Sequence, residues 1–202
     1  MDAAAWDARY GASGLVWSST PNVWVERECA DLAPGRALDL AAGEGRNAVW
    51  LAERRWDVEA IDFSPVGLDK ARAMAAERGV ALTTTVADVT APLDVAPADL
   101  VLVCYLQLPR EPLARALVEA ARLTAPGGTL VVVAHDRDNL ERGIGGPPDP
   151  AVLPSVTEVV AALDGSGLEV VRAEQVVRRV ETDDGEREAI DLLVRALRPV
   201  AG

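Results

Sequence analysis

Asp39-Leu40-Ala41-Ala42-Gly43-Glu44-Gly45-Arg46-Asn47 follows a short apolar run and opens a helical pattern. Glycine lets the backbone pass close to a ligand where a Cβ would clash. The first N–H groups of the following helix then point at whatever binds there. Downstream, Glu59-Ala60-Ile61-Asp62-Phe63-Ser64 puts a carboxylate at the end of the next apolar run. A carboxylate in that position suits a ribose diol. Together the two stretches point to a cofactor that contains a nucleoside.

Outward from this turn, apolar runs alternate with helical patterns. Strands are expected at 36–41, 57–61, 80–86, 98–104 and 129–134, and helices at 45–54, 65–78 and 111–123. Pro65 fits a first helical turn, where its missing N–H costs nothing. Leu113, Leu117, Ala120 and Ala121 fall on one helical face. The alternation and the continuous apolar strands imply a parallel sheet with helices on both faces. The end of the chain differs: a helix at 156–163 is followed by two strand-like runs, 168–178 and 187–197, joined by a turn at 181–186. That is an antiparallel hairpin. The fold class is therefore α/β, a Rossmann-like doubly wound sheet of seven strands, mostly parallel, closed by a C-terminal antiparallel hairpin.

The 202 residues carry a net charge of −12 and half of them are apolar. One domain is the default at this length. The absence of a basic cluster argues against a nucleic-acid partner. No apolar run is long enough to span a bilayer, so no membrane partner is expected. Cys29 and Cys104 lie far apart in sequence and fit no disulfide framework or zinc pattern, which suggests a reduced, cytoplasmic setting. No metal is expected, and Asp136 and Asp138 read as solvated loop charges.

Gly43-x-Gly45-x-x-Ala48, with Asp62 further on, formally matches a dinucleotide fingerprint. Glu44 and Asp39 argue against it, because carboxylates beside a pyrophosphate repel it. The final hairpin also replaces a second mononucleotide-binding half. S-adenosylmethionine, with an amine and a sulfonium cation besides its ribose and adenine, tolerates those carboxylates. The chain resembles the class I S-adenosylmethionine-dependent methyltransferase family over about residues 36 to 197. The resemblance rests on Asp39-x-Ala-x-Gly43-x-Gly45, Ile61-Asp62-Phe63-Ser64, Ala87-Asp88-Val89 and Pro126-Gly127-Gly128 in that order. Residues 39–47 look most like the tellurite-resistance and thiopurine-type small-molecule branch. Ala41 departs from the family in a place usually held by glycine, and is compatible with it if its φ is negative.

By this resemblance Gly43 and Gly45 line the methionine part, with Ala41 and Asn47 in the same turn and Asp39 near the amine. Asp62 holds the ribose hydroxyls and Phe63 flanks the adenine. Asp88 accepts from the adenine amino group, Val89 supplies a backbone N–H, and Cys104 borders the site. The implied reaction is direct methyl displacement onto a small-molecule acceptor at oxygen, nitrogen or sulfur, releasing S-adenosylhomocysteine. His135, the sole histidine, ends the fifth strand and is the candidate base. Trp6, Tyr10 and Trp17 are candidate lid residues, and Tyr105, Gln107 and Arg137 candidate substrate contacts. Residues 1–30 read as an N-terminal lid and 31–202 as the methyltransferase domain, within a single domain overall and as monomer or homodimer. The loop 135–154 is long enough to be functional. Two other readings remain open: an NAD(P)-dependent oxidoreductase using the same turn, and a non-catalytic S-adenosylmethionine-binding module.

Overall fold

In a computed structural model, residues 3–12, 14–183 and 185–200 are described. The elements run α1 (Ala3–Gly11), α2 (Val23–Cys29), β1 (Arg36–Leu40), α3 (Arg46–Glu53), β2 (Asp57–Asp62), α4 (Pro65–Glu77), β3 (Thr83–Val86) and β4 (Ala98–Cys104). They continue α5 (Arg110–Leu123), β5 (Thr124–His135), α6 (Asn139–Arg142), a 3-10 turn at Pro150–Val152, α7 (Val156–Ala162), β6 (Glu169–Thr182) and β7 (Gly185–Leu197). One seven-stranded sheet has the order β3-β2-β1-β4-β5-β7-β6. β1 to β5 pair in parallel, while β7 runs antiparallel to both β5 and β6. The expected sheet and its closing hairpin are both present. Asp184, within the expected turn, lies outside the described residues.

Alternation along the strands divides the core between two faces. Leu38, Leu40, Val101, Val103, Leu130 and Val132 pack with Leu113 and Leu117 of α5 and Val159 of α7. Ala37, Leu100, Leu102, Val131 and Val133 pack on the other face with Trp24 and Val25 of α2, Trp50 and Leu51 of α3 and Leu68 of α4. Burial on both faces explains why these strands read as continuous apolar runs.

β3 is shorter than the run 80–86 suggests. Gly79 takes a φ of 69°, and the Val80 N–H donates to the Ala75 carbonyl at 3.0 Å. Residues 79–80 are therefore used to close the C-terminus of α4, where a left-handed glycine commonly does so. The loop 135–154 also carries more structure than expected. Asn139 fastens it: Nδ2 donates to the Ile144 and Gly145 carbonyls, and Oδ1 accepts from the Ile190 N–H.

The sheet order reverses at β1, whose neighbours β2 and β4 lead away in opposite directions. Open α/β sheets bind ligands outside the carboxyl ends of strands at such a switch point. Asp39, the glycine turn, Asp62, Cys104, Tyr105 and His135 all lie at that end of the sheet.

Candidate active site

The turn between β1 and α3 is held in left-handed backbone by Ala41 (φ 59°), Gly43 (φ 55°) and Gly45 (φ 77°). The condition set for Ala41, a negative φ, is thus not met. The Ala42 N–H donates to the Ile61 carbonyl, and the Gly45 N–H to the Ala42 carbonyl. These bonds fix the turn against β2 and hold Ala41 in a conformation that costs an L-residue about 1–2 kcal/mol.

Space explains the two glycines. A Cβ on Gly43 would lie 2.6 Å from the Tyr10 hydroxyl, and one on Gly45 would lie 2.5 Å from the Ala71 Cβ. Gly67 in the first turn of α4 is less crowded: a Cβ there would lie 3.1 Å from both the Gly43 carbonyl and the Tyr10 ring. The resulting cradle is lined by backbone.

Two buried carboxylates face this turn. Asp62 is 4% exposed and accepts the Gly43 N–H at Oδ2 and the Ser64 N–H at Oδ1, each at 2.8 Å. Burial raises its pKa against the effect of those donors. Asp39 is 1% exposed. Burial pushes it up to about 7, opposed by the Ala48 N–H that it accepts and reinforced by Asp62. Its Oδ2 is buried without a hydrogen-bond partner. An orphaned acceptor of this kind is costly and rare in a native interior, and it is the strongest local sign of a ligand position.

Glu44 has a different role from the one its sequence position suggested. Its carboxylate accepts the N–H groups of Val16 and Trp17 and pairs with Lys70 Nζ at 2.9 Å. This charge is spent on the N-terminal segment, so the electrostatic argument against pyrophosphate narrows to Asp39. Above the turn, Ser64 Oγ donates to Asp7, and Tyr10 is buried with its ring 5.3 Å from that of Trp6. The Arg9 guanidinium lies 5.1 Å from the Trp6 ring and 5.2 Å from that of Trp17. Glu44→Gln replaces one acceptor oxygen by a donor facing two N–H groups. It is expected to speed amide exchange at Val16 and Trp17 while the β1 and β4 amides stay protected, for a loss of about 1–3 kcal/mol. Unchanged exchange at both amides would contradict this contact.

A second cluster lies across β4, β5 and β7. Tyr105 follows β4 with a φ of 57°, and its ring stands 4.7 Å from that of His135. His135 Nδ1 is 3.1 Å from Asp191 Oδ1. Oδ2 of Asp191 accepts from the Tyr105 hydroxyl (2.8 Å), Arg178 Nε (2.9 Å) and Trp24 Nε1 (3.2 Å). Asn22 joins the two clusters: its N–H donates to Asn47 Oδ1 at 2.9 Å and its Nδ2 to the Tyr105 hydroxyl at 3.1 Å.

The structure thus brings together Asp39, Gly43, Gly45, Asp62 and Tyr10 around the turn, and Asn47, Tyr105 and His135 beside it. Cys104 borders both; burial pushes its thiol up to about 12, so it stays protonated. Phe63 is half-buried after β2, and Val89 is buried beyond β3. Asp88 is exposed and accepts from the N–H and hydroxyl of Thr90, as a turn residue does. Gln107 is half-buried in the segment leading from β4 to α5. Arg137 points away to Glu158, 2.7 Å distant, on the wall of a cavity of about 240 Å³ between α5 and α7. None of the carboxylates at the glycine turn lines that cavity.

Sequence reasoning missed Asp191, Arg178 and Asn22. Asp191 had a signal: it is the one charged residue in Ala189-Ile190-Asp191-Leu192-Leu193-Val194. The antiparallel register sets it directly opposite His135.

Residues 37–128 match a family profile described as a methyltransferase domain. An uncharacterized methyltransferase of Mycobacterium tuberculosis is 43% identical over 106 residues, 52% of this chain and 42% of that protein. A demethylmenaquinone methyltransferase of Thermus thermophilus is 38% identical over 132 residues, covering 62% and 60% of the two chains. The chain therefore spans only about two fifths to three fifths of these curated relatives. Among solved structures, one described for the conversion of a disulfide bond into a thioacetal group during echinomycin biosynthesis has a TM-score of 0.80 at 22% identity, covering 99% and 93% of the two chains. TehB from Haemophilus influenzae has a TM-score of 0.72 at 17% identity, covering 88% and 62%. Residues 37–128 are thus similar to a methyltransferase domain, and the whole sheet shares the Rossmann-like fold of these solved structures.

Proposed function

We propose that the chain is an S-adenosylmethionine-dependent methyltransferase acting on a small molecule. The observation that carries this reading is the orphaned, buried Asp39 oxygen beside the left-handed glycine turn at the switch point of the sheet. That set fits the donor: an ammonium group supplies what Asp39 lacks, and the absence of a Cβ at Gly43 and Gly45 lets the turn pack tightly against Tyr10 and Ala71. When bound, the cofactor supplies a methyl group on a positively charged sulfur, open to direct displacement.

The residues of the chain bind and orient. Asp39 holds the amine, with Gly43, Gly45, Ala41 and Asn47 around the methionine part. Asp62, kept in place by the Gly43 and Ser64 N–H groups, retains lone pairs for the ribose hydroxyls. Phe63 flanks the adenine, which Asp88 and Val89 contact by side chain and backbone, and Cys104 closes the wall. Residues 1–30 serve as the lid: α1 lies against α4, with Tyr10 over Gly43 and the Glu44 latch holding Val16 and Trp17. Trp6 and Trp17 complete it. The lid excludes water and aligns the reactants, the main contributions that a protein makes to such a displacement. Tyr105 and Gln107 border the acceptor, and His135 takes its proton. The tellurite-resistance and thiopurine-type branch is favoured by the loop residues 39–47. The reading is of a cytoplasmic monomer or homodimer. Two free cysteines support it, and among the described residues no helix is long and apolar enough to cross a membrane.

Asp39 makes cofactor binding pH-dependent. Its folded pKa of about 7 lies above the ordinary 3.8. The native state therefore holds a proton that the unfolded chain has already lost, and this contribution to stability falls as pH rises from about 4 to 7. Binding of an ammonium group demands the ionised form and expels that proton. Affinity for S-adenosylmethionine is expected to be about tenfold lower at pH 6 than at pH 8, one pH unit of protonation being worth about 1.4 kcal/mol. Calorimetry in buffers of different ionisation heat measures the released proton. Asp39→Asn removes the step; a step that survives in that variant would exclude Asp39 as the amine site.

A further inference from the structure

We propose that Asp191 is the positioning residue of His135, holding the imidazole as the Nδ1–H tautomer so that Nε2 takes the proton of a hydroxyl acceptor. This rests on the methyl-transfer reading and names its substrate class.

The geometry is specific. Asp191 is fully buried and lies across the β5–β7 ladder from His135. Three donors, from Tyr105, Arg178 and Trp24, converge on Oδ2. Oδ1 lies 3.1 Å from His135 Nδ1, and neither of these two buried atoms has another hydrogen-bond partner. Buried carboxylates are ordinarily driven toward the neutral form. Here burial is outweighed by the neighbouring His135 and Arg178, which hold Asp191 below the usual carboxylate range. The ionised carboxylate can only accept, so the imidazole must present a proton at Nδ1 and a bare Nε2.

Arg178 matters as much as Asp191. It is the cation beside the carboxylate, 2.9 Å away, so the Asp191–Arg178 pair carries no net charge. The other polar groups around the ring do not replace this arrangement. The Tyr105 hydroxyl is engaged with Asp191 and Asn22, while the Arg46 guanidinium lies 5.9 Å from the Tyr105 ring. Asp136, next in sequence, is buried rather than the solvated loop charge expected; its Oδ1 accepts from Gln175 and the Asp138 N–H, and its Oδ2 has no partner. The Gly145–Gly146 turn packs over the far edge of the imidazole. A Cβ on Gly146 would lie 2.7 Å from Cδ2 and 3.2 Å from Nε2, so the turn packs closely against the imidazole.

A bare, oriented Nε2 serves an acceptor that must lose a proton. The acceptor oxygen–methyl bond forms as the methyl–sulfur bond breaks. The acceptor proton passes to Nε2, and the sulfur leaves as a neutral thioether. An acceptor without a proton to lose, such as a tertiary amine or a thioether, has no use for this pair.

The test exploits His135 being the sole histidine of the chain. Nitrogen NMR of the full chain labelled at histidine reads both ring nitrogens without any ligand. The expected spectrum at neutral pH is one tautomer, protonated at Nδ1 and bare at Nε2. In Asp191→Asn the three donors keep the amide oxygen at the Oδ2 position, and the amide nitrogen turns its protons on Nδ1. The tautomer is expected to reverse to Nε2–H, an error that costs a catalytic triad about 10⁴-fold in turnover. A wild-type ring protonated at Nε2 or averaging between tautomers overturns the proposal, whether or not the variant folds. So does a folded variant with an unchanged tautomer. Calorimetry with S-adenosylmethionine on the same samples separates the two readings. Loss of cofactor binding with the Nδ1–H tautomer intact would remove methyl transfer but leave the dyad. With a labelled methyl donor, transfer to hydroxyl compounds supports the substrate class, and transfer to tertiary amines or thioethers alone overturns it.

Discussion

Gly45→Ala is expected to destabilise the fold by about 2–5 kcal/mol and to abolish S-adenosylmethionine binding. Two costs add. At a φ of 77° an L-residue pays about 1–2 kcal/mol for left-handed backbone. The new methyl also meets the Ala71 Cβ at 2.5 Å and the Ala71 Cα at 3.2 Å, and overpacking of this kind costs about 1–3 kcal/mol. Neither neighbour can swing away, because one is backbone and the other is bound to it in the middle of α4. Relief would have to come from moving α3 and the turn it caps, and those are the groups that line the cradle. Denaturant unfolding measures the first effect and calorimetry the second. A variant of wild-type stability and affinity would show that the turn does not adopt this backbone.

The second large effect concerns His135→Ala. Turnover on the true acceptor is expected to fall by about 10²–10⁴-fold, the range in which a positioned general base contributes, while cofactor affinity is retained. His135 lies against Tyr105 and Asp191 rather than against the glycine turn, so the two functions separate. The loss should appear in kcat rather than in cofactor binding. A variant that turns over at the wild-type rate would remove His135 as the base.

The parts of the molecule legible in sequence are those set by local chemistry. Four of the five parallel strands, β1, β2, β4 and β5, declared themselves because burial on both faces makes them largely apolar. The hairpin did so through two long strand-like runs around a polar turn. Asp39, Gly43, Gly45 and Asp62 were found because a tight, backbone-lined turn needs glycine and a strand end needs a reason for a carboxylate. The misreadings involve partners distant in sequence. Glu44 looked like a charge facing a ligand, but its partners are Val16, Trp17 and Lys70, 26 to 28 residues away. Ala41 is held at positive φ by a bond from Ala42 to Ile61 on the neighbouring strand, which no local preference foretells. Asp191 became a partner of His135 only through strand register. The first residues of the run 80–86 were claimed by the end of α4, a competition between helix closure and strand extension that alternation alone does not decide.

The N-terminal segment is the part where local and distant effects meet. Trp6, Tyr10 and Trp17 were legible as an aromatic cluster. Their position over the turn depends on Ser64 bonding to Asp7 and on the Glu44 carboxylate. Every one of these contacts joins the N-terminal segment to α4 or to the turn itself.

The central claim is that the turn at 39–47 holds S-adenosylmethionine. Titration calorimetry of the full chain with S-adenosylmethionine, S-adenosylhomocysteine and NADH tests it most directly. Binding of the first two, with no heat from NADH, is the predicted result; heat from NADH alone would contradict the account and favour an oxidoreductase.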